Sequence, residues 1–317
     1  MNFLKQLSVN FRRAIYFNLM LLTLLYAGEI NWNSISGTHW VIFFEANDSK
    51  NANKLLTTLD QAYPKISVAL GIELTDSVYF FMAPTESDYL NHVGSSIPNW
   101  SSGVAFPAQR RIVLKSPRTS NQPNAPFKTA VHELAHIMLH SNIDGRAIPR
   151  WFDEGIAVYF SGEKMYASGS LVSKAVISKA LIDLMEIDRV LKFHQDKARL
   201  AYQQSYLAVR YLFEQYGAEQ VKKLVQQLRQ GNDLDQAMLN TIGMDMADFE
   251  YEWYHHIRNK YRWHFLMDFD YYLWIIILGL FILGFILIRR RNRKTIKRWE
   301  QEDDWDEPWS DTDSSTI

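Results

Sequence analysis

The sequence predicts an α+β domain, strands first and helices after, followed by a C-terminal transmembrane helix. Three observations predict it. β-rich runs crowd the first third of the chain, apolar residues recur at helical spacing from Phe127 onward, and Tyr271–Ile288 runs eighteen residues without a charge.

The first segment, residues 1–30, reads as a signal peptide or an uncleaved signal anchor. Lys5, Arg12 and Arg13 precede the apolar run Ala14–Ala27. Ala27 and Gly28 are small enough for a cleavage point, but Leu25 is a poor residue three positions before it, which favours the anchor. His39–Ala46 and Val78–Ala83 then read as strands. Between them Asn51–Gly71 has a helical apolar period, with Pro64 expected to kink it. Gly103–Phe106 and Arg111–Lys115 read as a strand pair, and Ser116–Pro126 as a loop. Helices are expected at about 127–141, 149–160, 171–186, 200–216, 218–230 and 246–262, with Gly217 and Gly231 as C-caps.

At about 1.5 Å per residue the apolar run Tyr271–Ile288 is about 27 Å long, close to the hydrocarbon core of a bilayer. Tyr271, Tyr272 and Trp274 mark one interface, and Arg289, Arg290, Arg291, Arg293 and Lys294 follow the other end. The positive-inside rule puts both this basic end and Arg12–Arg13 in the cytoplasm. Residues 31–264 are then a domain outside the cytoplasm, periplasmic if the membrane is an inner one. Residues 289–317 form a cytoplasmic tail, basic and then acidic, read as solvated.

Composition narrows the chemistry. The 317 residues are 47% hydrophobic and 22% charged, with a formal net charge of −1, which gives no sign of a nucleic-acid partner. There is no cysteine, so a metal site must use His and carboxylate. Nothing in the sequence specifies an oligomeric state.

The chemistry-bearing segment is His132-Glu133-Leu134-Ala135-His136. Two His at i and i+4 share a helix face and can reach one Zn2+ ion, with Glu133 beside them as general base. Glu154 stands eighteen residues after His136 on the next expected helix and can supply a third ligand. Two His and one Glu leave a coordination position open, as a catalytic zinc site requires. Gly155 and Ala157 are small enough for that helix to pack closely on the first, and Trp151 is its core anchor. Asp153 is either a hydrogen-bond partner of a ligand His or a surface charge. His140 continues the spacing but is read as a helix C-terminal residue. His39, His92, His194, His255, His256 and His264 have no partner pattern.

HELAH followed by WFDEGIAVYF resembles the gluzincin metallopeptidases, most closely the bacterial peptidase-MA-like domains. The resemblance covers roughly Val78–Ile257 and is most specific at 128–160. It implies a thermolysin-like zincin domain: a mixed sheet, an active-site helix and a helical half. It carries the metal-ligand roles onto His132, His136 and Glu154, and the general-base role onto Glu133. It makes Arg111–Lys115 the edge strand that pairs with an extended substrate. It also makes Tyr202 the oxyanion-stabilising hydroxyl, with Tyr206 one turn on as its competitor. The amine-gripping Glu of the aminopeptidase branch has no counterpart in Gly103–Phe106, so an endopeptidase acting on peptide or protein is the expected activity. The alternative is a zincin-fold binding or assembly module without turnover.

Overall fold

The computed structural model describes residues 32–94, 101–119, 124–141, 148–163, 169–261 and 269–303. The expected N-terminal signal segment and the acidic end of the tail lie outside the described residues. The chain divides into two units, Met1–Arg262 and Trp263–Ile317.

The first unit contains a five-stranded sheet in the order β1-β2-β3-β5-β4, formed by Trp32–Ser36, Trp40–Glu45, Val78–Ala83, Gly103–Phe106 (β4) and Arg111–Lys115 (β5). β2, β3 and β5 are parallel, while β1 and β4 pair antiparallel with β2 and β5. The sheet is therefore mixed. β4, not β5, is the edge, which corrects the expectation for Arg111–Lys115. β5 has both sides occupied, by β3 on one and β4 on the other. Sheet order depends on contacts remote in sequence, so a hairpin read from the sequence does not reveal which of its strands faces out.

Successive side chains point to opposite faces of the sheet. Ile42, Phe80, Met82, Ile112 and Leu114 join the main core, whereas Phe81, Ala83 and Val113 belong to a smaller cluster on the other face. There Tyr89 and Val93 of helix α2 (Glu86–Val93) cover them. On the main face lie α1 (Ser49–Leu70) and α3 (Ala125–Leu139). α1 stays helical past Pro64, so the expected kink does not end it.

α4 (Arg150–Ser161) packs between α3 and the long α6 (Gln195–Gln230), which is broken at Gly217 (φ 80°, ψ 166°) and capped at Gly231. A Cβ on Gly155 would stand 2.4 Å from the Ser205 carbonyl oxygen and 2.5 Å from Val209 Cγ2. Gly155 therefore brings α4 against α6 rather than against α3. Trp151 is fully buried and stacks on Phe249 of α8 (Met246–Tyr261), the anchoring expected of it.

The helix expected at 171–186 is shorter. α5 spans Ser170–Ser178 and ends at left-handed Lys179, and a 3-10 segment follows at Leu184–Lys192. The fully buried Gln204 of α6 explains the break. Its Oε1 accepts from Ile182 N–H (2.9 Å) and its Nε2 donates to Ile182 C=O (2.6 Å), so that backbone needs no helical partners. Its neighbour Gln203 accepts from Val172 N–H at 2.8 Å, at the start of α5. β1, α2 and α7 (Leu234–Ile242) are additional to the elements expected from the sequence.

The second unit holds α9, Phe269–Asp303. Its stretch Tyr272–Trp299 is long and apolar enough to cross a membrane, and its large apolar side chains, Trp274, Phe281 and Phe285 among them, are solvent-exposed.

Candidate metal centre

α3 begins with Ala125-Pro126, and proline suits the first turn because its missing N–H has no helical partner there. The helix buries Phe127, Ala130, Val131, Leu134, Ala135, Ile137 and Met138. That fixes its rotation, and His132 and His136 are left side by side, ring centroids 4.9 Å apart. α4 brings Glu154 to them. Glu154 Oε2 lies 3.4 Å from His132 Nε2 and 3.5 Å from His136 Nε2. Oε2 is buried and makes no hydrogen bond.

This spacing fits a zinc ion. Ligand atoms at tetrahedral positions about 2.0–2.1 Å from zinc stand about 3.4 Å from one another. The other oxygen of Glu154 is already engaged: Arg150 Nη2 lies 3.0 Å and the Tyr202 hydroxyl 3.5 Å from Oε1. One carboxylate oxygen is thus held by the protein and the other left facing both imidazoles.

Each imidazole is held from behind. His136 Nδ1 donates to Asp153 Oδ1 (2.7 Å), and His132 Nδ1 donates to Glu163 Oε2 (3.1 Å). Asp153 is buried, which decides against the surface-charge reading, and its Oδ2 accepts from His140 Nε2 at 2.9 Å. His140 is the C-cap residue of α3, as expected. His136, His140 and Asp153 also form a group close enough to hold a metal. His136 would then have to bridge two cations as an imidazolate, whereas one Nδ1–H bond satisfies the same geometry.

Electrostatics follow from this crowding. Burial disfavours the charged imidazole of His132, yet the charge and hydrogen bond of Glu163 and the nearby Glu154 carboxylate outweigh it and push its pKa up to about 10. His136 is raised well above the ordinary value, the Asp153 charge and bond overcoming burial. Burial would raise Asp153 and Glu154, but their imidazole partners hold both well below the usual carboxylate range. Glu133 goes the other way. Burial raises it, Glu154 and Glu163 add to the rise, and the two imidazoles only partly oppose it.

β4 runs beside α3. A Cβ on Gly103 would meet Thr129 Cγ2 at 2.6 Å and come within 3.3 Å of Glu133 Cγ, so only glycine lets the edge strand lie this close. Lys115 N–H donates to Ser102 C=O at 3.0 Å. The narrow hydrogen-bonded pairs of the β4–β5 ladder are then Ser102–Lys115, Val104–Val113 and Phe106–Arg111. Gly103 and Ala105 direct their N–H and C=O groups away from β5.

Residues 58–259, more than half of the chain, match the family model described as Peptidase MA superfamily. The chain belongs to the peptidase MA superfamily. Comparison with curated protein sequences gives no match. The superfamily match runs from within α1 to the last turn of α8 and contains His132, His136 and Glu154, while β1, β2 and α9 lie outside it. Peptidase MA proteins are typically zinc-dependent, and His132, His136 and Glu154 are a group able to hold a metal.

Of the residues singled out from the sequence, the structure brings His132, His136, Glu154 and Tyr202 together, with Glu133 beside them on α3. Tyr206 instead approaches Tyr159, ring centroids 6.5 Å apart. Sequence reasoning missed Arg150 and Glu163. Arg150 carried a signal, since a base four residues before an acid pairs along a helix. Glu163 lies past the end of α4 and carried none.

Proposed function

We propose that this peptidase MA protein is a membrane-anchored zinc endopeptidase. The observation that carries the reading is Glu154 Oε2, buried without a hydrogen bond and 3.4–3.5 Å from two imidazole nitrogens. His132, His136 and Glu154 would hold the zinc. Bound there, zinc would supply Lewis acidity, activating a water molecule and polarising the scissile carbonyl. Glu133 takes the proton of the attacking water and delivers it to the leaving amine. Its raised pKa suits a group that must both accept and release a proton. Tyr202 donates its hydroxyl hydrogen to the developing oxyanion. Ala105 receives an extended peptide by strand addition through its outward N–H and C=O, and Gly103 through its outward N–H, since its C=O already accepts from Ser101 Oγ at 2.6 Å. The absence of a carboxylate in Gly103–Phe106 supports cleavage within chains rather than at an amino terminus.

The exposed apolar surface of α9 supports a membrane span. An apolar cylinder of this size is costly in water and neutral in lipid. Arg289, Arg290, Arg291, Arg293 and Lys294 support a cytoplasmic tail with the site on the other side.

The test is Glu133→Gln. Zinc content should stay near one per chain while cleavage of an unfolded protein substrate falls by about 10²–10⁴-fold. Undiminished cleavage refutes the role of Glu133. A wild-type chain that binds zinc and a partner but cleaves nothing supports the binding-module alternative.

A further inference from the structure

We propose that Glu163 is a positioning residue for His132, presented by a clasp that closes the end of α4 onto α3. The inference rests on the zinc reading above. α4 carries only two acidic residues, Asp153 and Glu154, and both are engaged, on His136 and at the ligand position. Val158, one turn beyond Glu154, is fully buried and apolar. α4 itself therefore has no carboxylate left for His132.

The chain supplies one by turning back. Gly162 caps α4 in the left-handed conformation (φ 60°), and nothing crowds its Cα, so glycine serves the backbone angle alone. Lys128 Nζ donates to the Gly162 carbonyl, and the next residue, Glu163, accepts from His132 Nδ1 at 3.1 Å. Lys128 and His132 are one turn apart on α3, so two successive residues of the turn are gripped by two successive turns of one helix face. The Glu163 side chain is 20% exposed, far more enclosed than a solvated surface acid. It contacts Nδ1, the nitrogen remote from Glu154, so it orients the ring and is not a fourth ligand. A carboxylate on the non-ligating nitrogen fixes the tautomer and strengthens the imidazole as a donor to metal.

Zinc affinity of the full-length protein, measured by competition with a chromogenic chelator, tests this together with the imidazole N–H resonances of the zinc-loaded form. Glu163→Gln should weaken zinc binding by about 10–100-fold. It should shift the His132 Nδ1–H resonance and leave that of His136 in place, and Asp153→Asn should reverse the pattern. Affinity and resonances equal to wild type in Glu163→Gln overturn the proposal alone. If that variant fails to fold, Glu163→Asp takes its place: a shifted His132 resonance with weaker binding supports the proposal, and wild-type values overturn it. A wild-type chain that takes up no zinc overturns the zinc reading and this proposal with it.

Discussion

Asp153 Oδ1 lies 2.7 Å from His136 Nδ1, so the other nitrogen of that ring is turned toward Glu154. Asp153→Asn keeps the shape and removes the charge, and should weaken zinc binding by about 10–100-fold. His140→Ala leaves Asp153 its main partner and should cost less than about tenfold. Chelator competition on the two variants measures the difference, and equal losses would assign His140 a larger share.

Tyr202 and Tyr206 are separated by their surroundings. Tyr202→Phe should lower kcat by about 10²-fold, with zinc content and KM near wild type, because the bond it removes forms only in the transition state. Tyr206→Phe should leave kcat within about threefold of wild type. Steady-state kinetics on an unfolded protein or peptide substrate decide the assignment.

Gly155→Ala would place a methyl group 2.4 Å from the Ser205 carbonyl oxygen, a backbone atom that cannot swing aside. Destabilisation of about 1–3 kcal/mol is expected from such overpacking. Glu154 precedes this contact on α4 and Tyr202 precedes it on α6, so separating the helices should also weaken zinc binding. Thermal unfolding and chelator competition should move together.

Zinc must displace protons. The pKa of His132 is pushed up to about 10 and that of His136 is also raised, so the metal-free site favours the protonated form of both imidazoles. Zinc binding near pH 7 should release about two protons per ion, and affinity should rise with pH through neutrality. Calorimetry in buffers of different ionisation enthalpy reads the proton count directly. A count of zero would show that both imidazoles are already neutral before zinc binds.

The apolar surface of α9 makes an extraction prediction. The full chain should stay with membranes through alkaline carbonate washing and be released by detergent. A protease added from the non-cytoplasmic side should reach the 31–264 domain and spare an epitope placed after Ile317.

How much of this was legible follows from the range of each interaction. The pair His132 and His136 was readable because helical periodicity alone puts them on one face. Glu154, eighteen residues on in the next helix, was readable from its position as a possible third ligand, and the gluzincin resemblance gave it that role. Asp153 was readable only as one of two options, because burial is a tertiary property. The order of β4 and β5 was hidden, since hairpin pairing is local but the choice of outer strand depends on β3. The early end of α5 was hidden for a similar reason. The group that satisfies the backbone at Ile182 is Gln204, twenty-two residues away. Glu163 was invisible because helical spacing stops at Gly162.

The edge strand is four residues long, and only Gly103 and Ala105 turn their main-chain groups outward. A guest chain recognised this way is read by its backbone, which is the same for every residue except proline. A segment already committed to a helix or sheet has no main-chain groups to offer. Choice between targets then depends on how often a segment is unfolded, and a locally melted loop is chosen over a stable domain whatever its side chains.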